Sequence, residues 1–443
     1  MKKIIVFVIL IAAAGLLGPK IIGSSANQKF EEFVAVANET PGYQVQILDS
    51  ETSWFSSRAT VNVGLDSMIF GDMAYDPSVQ QLFSDISVDL DVTIQHGPFL
   101  TLNGLGLGLL AVKADVDDSL FRDYLVYPEN QSLYTLVADL NIFGGMSYSD
   151  SIQGFELREL GTVSFSGWDG EGSISSNYFS YKGEMGSLTA EAGSEKFEMT
   201  SLVLDLEAEE SLINILSSPF YDSYANFSIG AVAINAPNGD NATLKNIGVT
   251  ATTEVTKGGR LMDVGVKYGA EEISVPGFNA SDLVLDIELV NLEKEFLTAL
   301  QNVSQSVTEL EQLAELFNAN ILAQLKASPE FNINELSGKV GDNSFSGKML
   351  IKLSGIKQLP IFIADPGFWL SKLTVDSHVE MDKAMAILIA ESMLSSQQQA
   401  EATVNMLTAQ GMITSNARNK LKVALTIDDS QLTINGNPMP MPY

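Results

Sequence analysis

Alternation of apolar and polar residues over long stretches is the feature that most constrains how this chain can fold. From Ile86 to Ile94 every second residue is apolar, and polar residues stand between them. The same period of two recurs from Ala59 to Leu65, from Leu202 to Leu206 and from Leu283 to Leu289. Successive side chains of a β-strand point to opposite faces, so these stretches predict antiparallel sheets with one apolar face and one wet face. We predict a mainly β protein of the α+β class, in which long, curled antiparallel sheets carry amphipathic helices.

Acidic residues fill many polar positions of these stretches and give the chain a formal net charge of −30. Such a surface repels the phosphates of nucleic acids, so we predict no nucleic-acid partner. The charge by itself indicates a well-solvated surface. The chain has no cysteine, which excludes disulfides, thiolate metal sites and cysteine nucleophiles.

The N-terminus predicts a membrane anchor. Lys2 and Lys3 precede a continuous apolar run over residues 4–18, close to the roughly 17–20 residues that a spanning helix needs. The two lysines favour a cytoplasmic N-terminus, with the bulk of the chain outside. A cleaved signal peptide is the alternative, with Ser24 and Ala26 as the small residues near the cut. The apolar side chains assigned to the anchor are Ile4, Val6, Phe7, Val8, Leu10, Leu16 and Leu17.

Two stretches depart from the period of two and predict helices. Apolar residues spaced seven apart from Phe296 to Phe317 predict an amphipathic helix capped by Asn291. A second helical stretch runs from Asp382 to about Gln410, with Gly411 as its C-terminal cap, and a hairpin turning at Asp428 to Ser430 follows. The predicted segments are the anchor or signal peptide at 1–26, a β-rich region at 27–290, a helical insert at 291–328, a β region at 329–381, a helical region at 382–413 and a C-terminal β-hairpin at 414–443.

The sequence contains no zinc-protease, P-loop, serine-hydrolase or dinucleotide-binding motif. The acidic run from Asp115 to Asp118 lacks the glycine and glutamate of an EF-hand loop, which favours a solvated turn. His378 alternates with polar residues, which favours an exposed face. His96 has the parity of Ile94 and precedes Gly97-Pro98, so we predict that it ends a strand on the apolar side and supports the turn. We therefore predict no catalytic, cofactor-binding or metal-binding residues.

Three stretches, from Asn38 to Val63, at "IQHGPF" and at "LTINGNPMP", resemble the YdgA-like proteins, an uncharacterised family of singly anchored inner-membrane proteins of Gram-negative bacteria. Thr52-Ser53 departs from the family, which often has Arg-Gly there. The resemblance implies a periplasmic body on an N-terminal anchor in the inner membrane, and it brings no activity. The positions that carry it are assigned a structural role: Trp54, Phe55, Ser57, His96, Gly97, Pro98, Asn435 and Gly436.

Three functions stay open at this point. The first is a membrane-anchored, non-catalytic periplasmic protein that handles lipid or other envelope components on an apolar sheet face. The alternative that the apolar face only packs against the predicted helices weighs equally. The second is a scaffold or assembly factor that binds an envelope protein or a second copy of itself. The third, which we consider the weakest, is a hydrolase built on His96 or His378.

Overall fold

A computed structural model describes the chain at residues 34–35, 38, 43–65, 87–116, 121–157, 162–237, 239–299, 320–362, 365–394, 396–416 and 420–440. The chain forms two compact units, which we call unit 1 (Met1–Gly193) and unit 2 (Ser194–Tyr443). The boundary after Gly193 falls inside the β-rich segment predicted at 27–290. The sequence does not mark this boundary, because the alternating pattern occurs in both units. The predicted anchor at residues 1–26 lies outside the described residues.

The described part of unit 1 consists mainly of antiparallel strands, with helical residues at 34–35 and 38. In chain order these are β1 (Tyr43–Thr52), β2 (Ser56–Leu65), β3 (Ser87–His96), β4 (Phe99–Leu100), β5 (Gly106–Leu107), β6 (Leu110–Val116), β7 (Leu125–Val126), β8 (Tyr134–Leu140), β9 (Met146–Leu157), β10 (Thr162–Ile174) and β11 (Phe179–Ala192). The main sheet has the order β1-β2-β3-β6-β8-β9-β10-β11, and β7 pairs with β9. Strands β4 and β5 form a separate small hairpin.

The alternation of the sequence produces the core of unit 1. Val61 of β2, Val92 and Ile94 of β3 and Ala114 of β6 are buried together. The register aligns Val92 with Ala114 and Ile94 with Val112, so the apolar positions of neighbouring strands share one face. Seven half-buried apolar residues pack around this cluster: Val45, Ala59, Val63, Leu90, Leu110, Val112 and Leu136.

Unit 2 is also antiparallel, with short helices between and after its strands. Its described elements are β12 (Glu195–Ala208), α1 (Leu212–Ser217), β13 (Ser223–Asn235), β14 (Ala242–Thr256), β15 (Leu261–Val275), β16 (Phe278–Glu293), β17 (Glu330–Val340), β18 (Asn343–Leu353), α2 (Pro366–Leu370), β19 (Leu373–Asp382), α3 (Lys383–Leu394), α4 (Gln397–Ala409), β20 (Thr414–Ser415), β21 (Lys420–Asp428), β22 (Gln431–Ile434) and β23 (Asn437–Met439). Each strand from β12 to β19 pairs with the next, β19 pairs with β21, and β21, β22 and β23 continue the sheet.

The prediction of a mainly β, antiparallel protein with few helices is confirmed, and its helical details are corrected. Strand β16 runs through Asn291, so the prediction of Asn291 as a helix cap is wrong. Asn291 has a φ of 62°. Its side chain accepts a hydrogen bond from Lys257 Nζ at 2.8 Å and donates one to the Ser328 carbonyl at 3.1 Å, so it joins segments that are distant in the sequence. Helical residues are described at 294–299 and 320–326, and the rest of the predicted insert lies outside the described residues.

The second predicted helix is a pair of helices. Strand β19 extends to Asp382, α3 and α4 follow, and Gly411 then has a φ of 75°. The C-terminal hairpin turns at Asp429 and Ser430, which have φ values of 46° and 63°. No helix among the described residues combines the length and the apolar character that crossing a membrane requires.

Candidate functional site

The apolar positions of unit 2 form rows that cross the sheet. Residues paired across antiparallel strands lie on the same face, so the register traces each row. One row continues from β12 to β22 and is interrupted by a single serine: Leu206, Ala225, Ala251, Val266, Ile287, Ile333, Met349, Ser377, Leu425 and Ile434. The neighbouring row contains Leu204, Phe227, Val249, Tyr268, Leu285 and Leu336. We call these rows together the apolar face of unit 2.

The apolar face keeps contact with solvent along its length. Every side chain of the first row is half-buried, which differs from the fully buried cluster in unit 1. In the second row Phe227 is 40% exposed and Tyr268 is 46% exposed. Contiguous apolar surface of this kind is uncommon on monomeric soluble proteins and typically marks an interaction site.

Helices α3 and α4 cover one end of the apolar face. Helix α3 contacts α4, β18, β19 and β21. Between the two helices and the strands lies a cleft of about 320 Å³, which we call the hairpin cleft. Thr403 is the one polar residue in its lining, which otherwise consists of Val379, Met381, Ala386, Ile389, Ala390, Met393, Leu394, Val404, Leu407, Ile413, Leu421 and Val423. The cleft therefore offers an almost wholly apolar space, at the lower end of the volumes typical of ligand pockets.

The opposite face of the same strands is polar. Lys348 lies beside His378, and Glu380 lies beside Lys422, with which it forms an ion pair of 3.1 Å. That ion pair lowers the pKa of Glu380. The His378 ring is exposed, and its Nδ1 lies 3.0 Å from Asp376 Oδ1. His378 is thus part of a solvated charged face.

His96 lies at the apolar end of β3 and is 1% exposed. Its Nε2 lies 3.1 Å from the hydroxyl of Ser57, which is also buried. The partner is therefore a side chain on the adjacent strand β2, whereas the sequence suggested the backbone of the following turn. His96 and Ser57 are 39 residues apart in the sequence.

Ser57 and His96 are the residue types of a serine nucleophile and its general base, but their surroundings do not support catalysis. A working base must reach its substrate, whereas His96 is 1% exposed and Ser57 is 5% exposed. Burial lowers the pKa of His96, and the Trp54 backbone raises it by a smaller amount. The ring is thus held neutral and away from solvent.

The remaining residues of the family resemblance lie at turns, where their contacts hold neighbouring segments together. The peptide bond between Gly97 and Pro98 is cis. A Cβ on Gly97 would lie 1.8 Å from the Gly108 carbonyl oxygen, so only glycine fits there. Trp54 and Phe55 are exposed at the turn between β1 and β2, and the Phe55 carbonyl accepts from the His96 backbone N–H at 2.8 Å. Together these contacts fasten the end of β3 to the neighbouring hairpin.

Asn435 and Gly436 form the turn between β22 and β23, with φ values of 50° and 79°. The side-chain amide of Asn435 donates to the carbonyls of Gly411 and Met412, and its oxygen accepts from the Ala424 backbone N–H. Asn435 therefore ties the C-terminal strands to the segment that follows α4, next to the hairpin cleft.

An aromatic cluster surrounds Asp150 on the apolar side of unit 1. Trp168 Nε1 donates to the Tyr181 hydroxyl at 2.8 Å, and that hydroxyl donates to Asp150 Oδ1 at 3.0 Å. Burial raises the pKa of Asp150, and burial together with the Asp150 charge raises the pKa of Tyr181 to about 12. The rings fit because β11 has glycine beneath them: a Cβ on Gly183 would lie 2.1 Å from the Trp168 ring. This cluster has the close packing and satisfied polar contacts of a structural element.

Within the described parts of the chain no three His, Asp or Glu side chains are grouped closely enough to hold a metal ion. The hairpin cleft was not predicted from the sequence, because no single motif marks it. The pattern that could have predicted the cleft is the abundance of apolar residues on every side of α3, from Met385 to Leu394. Exposed glutamines follow at the start of α4. A helix that is apolar on every side needs apolar partners on more than one side.

A family model described as "Bacterial protein of unknown function (DUF945)" matches residues 1–442, so the chain belongs to that family. No curated protein matches the chain. No solved structure matches it either.

Proposed function

We propose that this DUF945 protein is a non-catalytic lipid-binding protein of the bacterial envelope, held at the inner membrane by residues 1–26, with its body in the periplasm as in the YdgA-like proteins that it resembles. The observation that carries the proposal is the apolar face of unit 2, which ends in the hairpin cleft. Anchoring is supported by the basic start and apolar run of the sequence.

The ligand class follows from the lining of the cleft. Apart from the Thr403 hydroxyl, the lining offers neither charge nor hydrogen-bonding side chains, so a polar ligand would lose its hydration without compensation. An acyl chain loses nothing polar on entry and gains about 0.8 kcal/mol for each buried methylene. Met393 and Met381 in the lining are flexible side chains that adapt to apolar guests of different shape.

The apolar face extends the same environment beyond the cleft. Val379 and Val423 line the cleft and are paired across β19 and β21. Val379 is also aligned with Gly347 of β18, which is aligned with Leu336 in the second apolar row. A chain longer than the cleft can therefore continue along the sheet without meeting the charged face.

The test compares two matched variants of the full chain. Ala390 lines the cleft, and Ala402 is exposed on α4. We expect Ala390→Trp to fill the cleft and to reduce covalent labelling by a photoactivatable palmitate at least fivefold, and Ala402→Trp to label like the wild type. Circular dichroism checks that both variants keep the wild-type fold.

Equal labelling of the two variants would show that palmitate does not occupy the cleft. Absence of labelling in the wild type would remove the lipid-binding proposal altogether. In that case a stable complex of the full chain with an envelope protein, or with a second copy, would support the scaffold function instead.

A further inference from the structure

One end of the unit 1 sheet carries exposed apolar side chains on several separate turns. The register places the β1–β2 turn, the connection from β3 to β6, the β8–β9 turn and the β10–β11 turn at this same end. We call it the turn end of unit 1. Its large exposed side chains are Trp54, Phe55, Phe99, Leu105, Leu107, Ile142 and Phe143.

These side chains lie on ordered turns, two of which are closed by hydrogen bonds. Asn141 Oδ1 accepts from the backbone N–H groups of Phe143 and Gly145, which fixes the turn that holds Phe143 at 91% exposure. Ser53 N–H donates to the Ser56 carbonyl at 2.7 Å and closes the turn that carries Trp54 and Phe55. The β4–β5 hairpin holds Leu105 at 96% exposure. The apolar side chains are thus exposed to solvent on turns of defined conformation.

The turn end contains no charged residue in a chain whose net charge is −30. Residues 52–57, 94–112, 140–149 and 172–181 contain no Asp, Glu, Lys or Arg. The connection from β6 to β8, at the opposite end, contains Arg122, Asp123 and Glu129. Charge is therefore absent from the turn end, which exposes seven large apolar side chains.

The arrangement favours a bilayer over a protein as the partner. The β1–β2 and β8–β9 turns are separated by four strand spacings, about 19 Å, so the apolar groups are spread across the sheet end as several projections. Protein interfaces have a polar, often charged rim around an apolar centre, whereas the hydrocarbon region of a bilayer accepts scattered apolar projections and disfavours charge. Trp and Phe are typical of segments that enter the boundary between headgroups and acyl chains.

We propose that the turn end of unit 1 is a membrane-docking surface that inserts Trp54, Phe143 and Leu105, with their apolar neighbours, into the headgroup–acyl boundary of a bilayer. The surface is separate from the hairpin cleft of unit 2 and goes beyond the proposed lipid binding. Because the turn end is uncharged, docking needs no anionic lipid and does not weaken as salt rises.

The absence of cysteine allows a site-specific test in the full chain. Single Phe143→Cys, Leu105→Cys and Asn130→Cys variants are labelled with an environment-sensitive fluorophore and reconstituted into phosphatidylcholine vesicles that contain lipids with nitroxide-labelled acyl chains. Asn130 is an exposed control at the opposite end of the sheet. We expect the labels at 143 and 105 to be quenched at least threefold more than the label at 130, equally at low and high salt.

Quenching at 143 and 105 no greater than at 130 would overturn the proposal. Labels at 143 and 105 that are shielded from water but not quenched by the nitroxide lipids would also overturn it, since a protein or a second copy would then cover the turn end. Neither result depends on the cleft, because the Ala390→Trp and Ala402→Trp comparison tests the cleft separately.

Discussion

At the residue scale, His96 shows how a rare histidine can serve structure. Its ring lies 3.1 Å from the Ser57 hydroxyl in a fully buried site, and the neighbouring turn contains a cis peptide bond and a glycine that cannot be replaced by a larger residue. The strand parity of the sequence indicated that His96 lies on the apolar side. The sequence could not indicate Ser57 as the partner, because the contact depends on the register between β2 and β3.

We expect His96→Ala to lower the free energy of unfolding by about 1–3 kcal/mol, because the variant leaves a cavity and removes the partner of the buried Ser57 hydroxyl. Urea denaturation of the full chain measures the change. The matched control is His378→Ala, whose exposed ring should cost within about 0.5 kcal/mol. Equal losses in the two variants would contradict the structural role of His96.

The pH dependence of stability should also depend on His96. Burial lowers the pKa of His96 in the folded state below the ordinary value of 6.5. As the pH falls, His96 is therefore protonated in the unfolded chain before it is protonated in the folded protein. The contribution of neutral His96 is therefore complete above about pH 6.5 and is lost as the pH falls from there towards the lowered pKa. Between pH 7.5 and 5 the wild type should lose more stability than His96→Ala, and parallel pH profiles would contradict this account.

At the element scale, the strands were predictable and the helix boundaries were not. The alternation from Leu283 to Leu289 gives the apolar side of β16 directly, since the period of two needs only local information. The end of that strand at Glu293 was missed, because Asn291 is held in the sheet by contacts with Asp263 and Lys257, which are distant in sequence. The cross-strand rows and the hairpin cleft likewise depend on register and packing that no single stretch encodes.

The glycines of β10 and β11 give a prediction at this scale. A side chain at Gly183 would displace the Trp168 ring, so we expect Gly183→Ala to lower the free energy of unfolding by about 1–3 kcal/mol through overpacking. Urea denaturation followed by tryptophan fluorescence measures it. Gly106→Ala is the control, because a Cβ there meets nothing within 4 Å. A loss at Gly106 as large as that at Gly183 would show that packing under Trp168 is not the cause.

At the scale of the whole molecule, charge and apolar surface are kept apart. On β18, β19 and β21 of unit 2, charged side chains such as Lys348, Glu380 and Lys422 lie on one face and the apolar rows lie on the other, and in unit 1 the turn end is free of charge. A net charge of −30 therefore keeps the protein solvated without placing charge where we propose that lipid binds.

The most direct test of the central claim is to locate the adduct of a photoactivatable palmitate on the full chain by peptide mass spectrometry. We predict adducts in α3 and α4 around Ile389, Met393 and Leu407, and along the apolar rows of unit 2. Adducts confined to residues 1–26, or placed on the charged face around Lys348 and His378, would contradict the account.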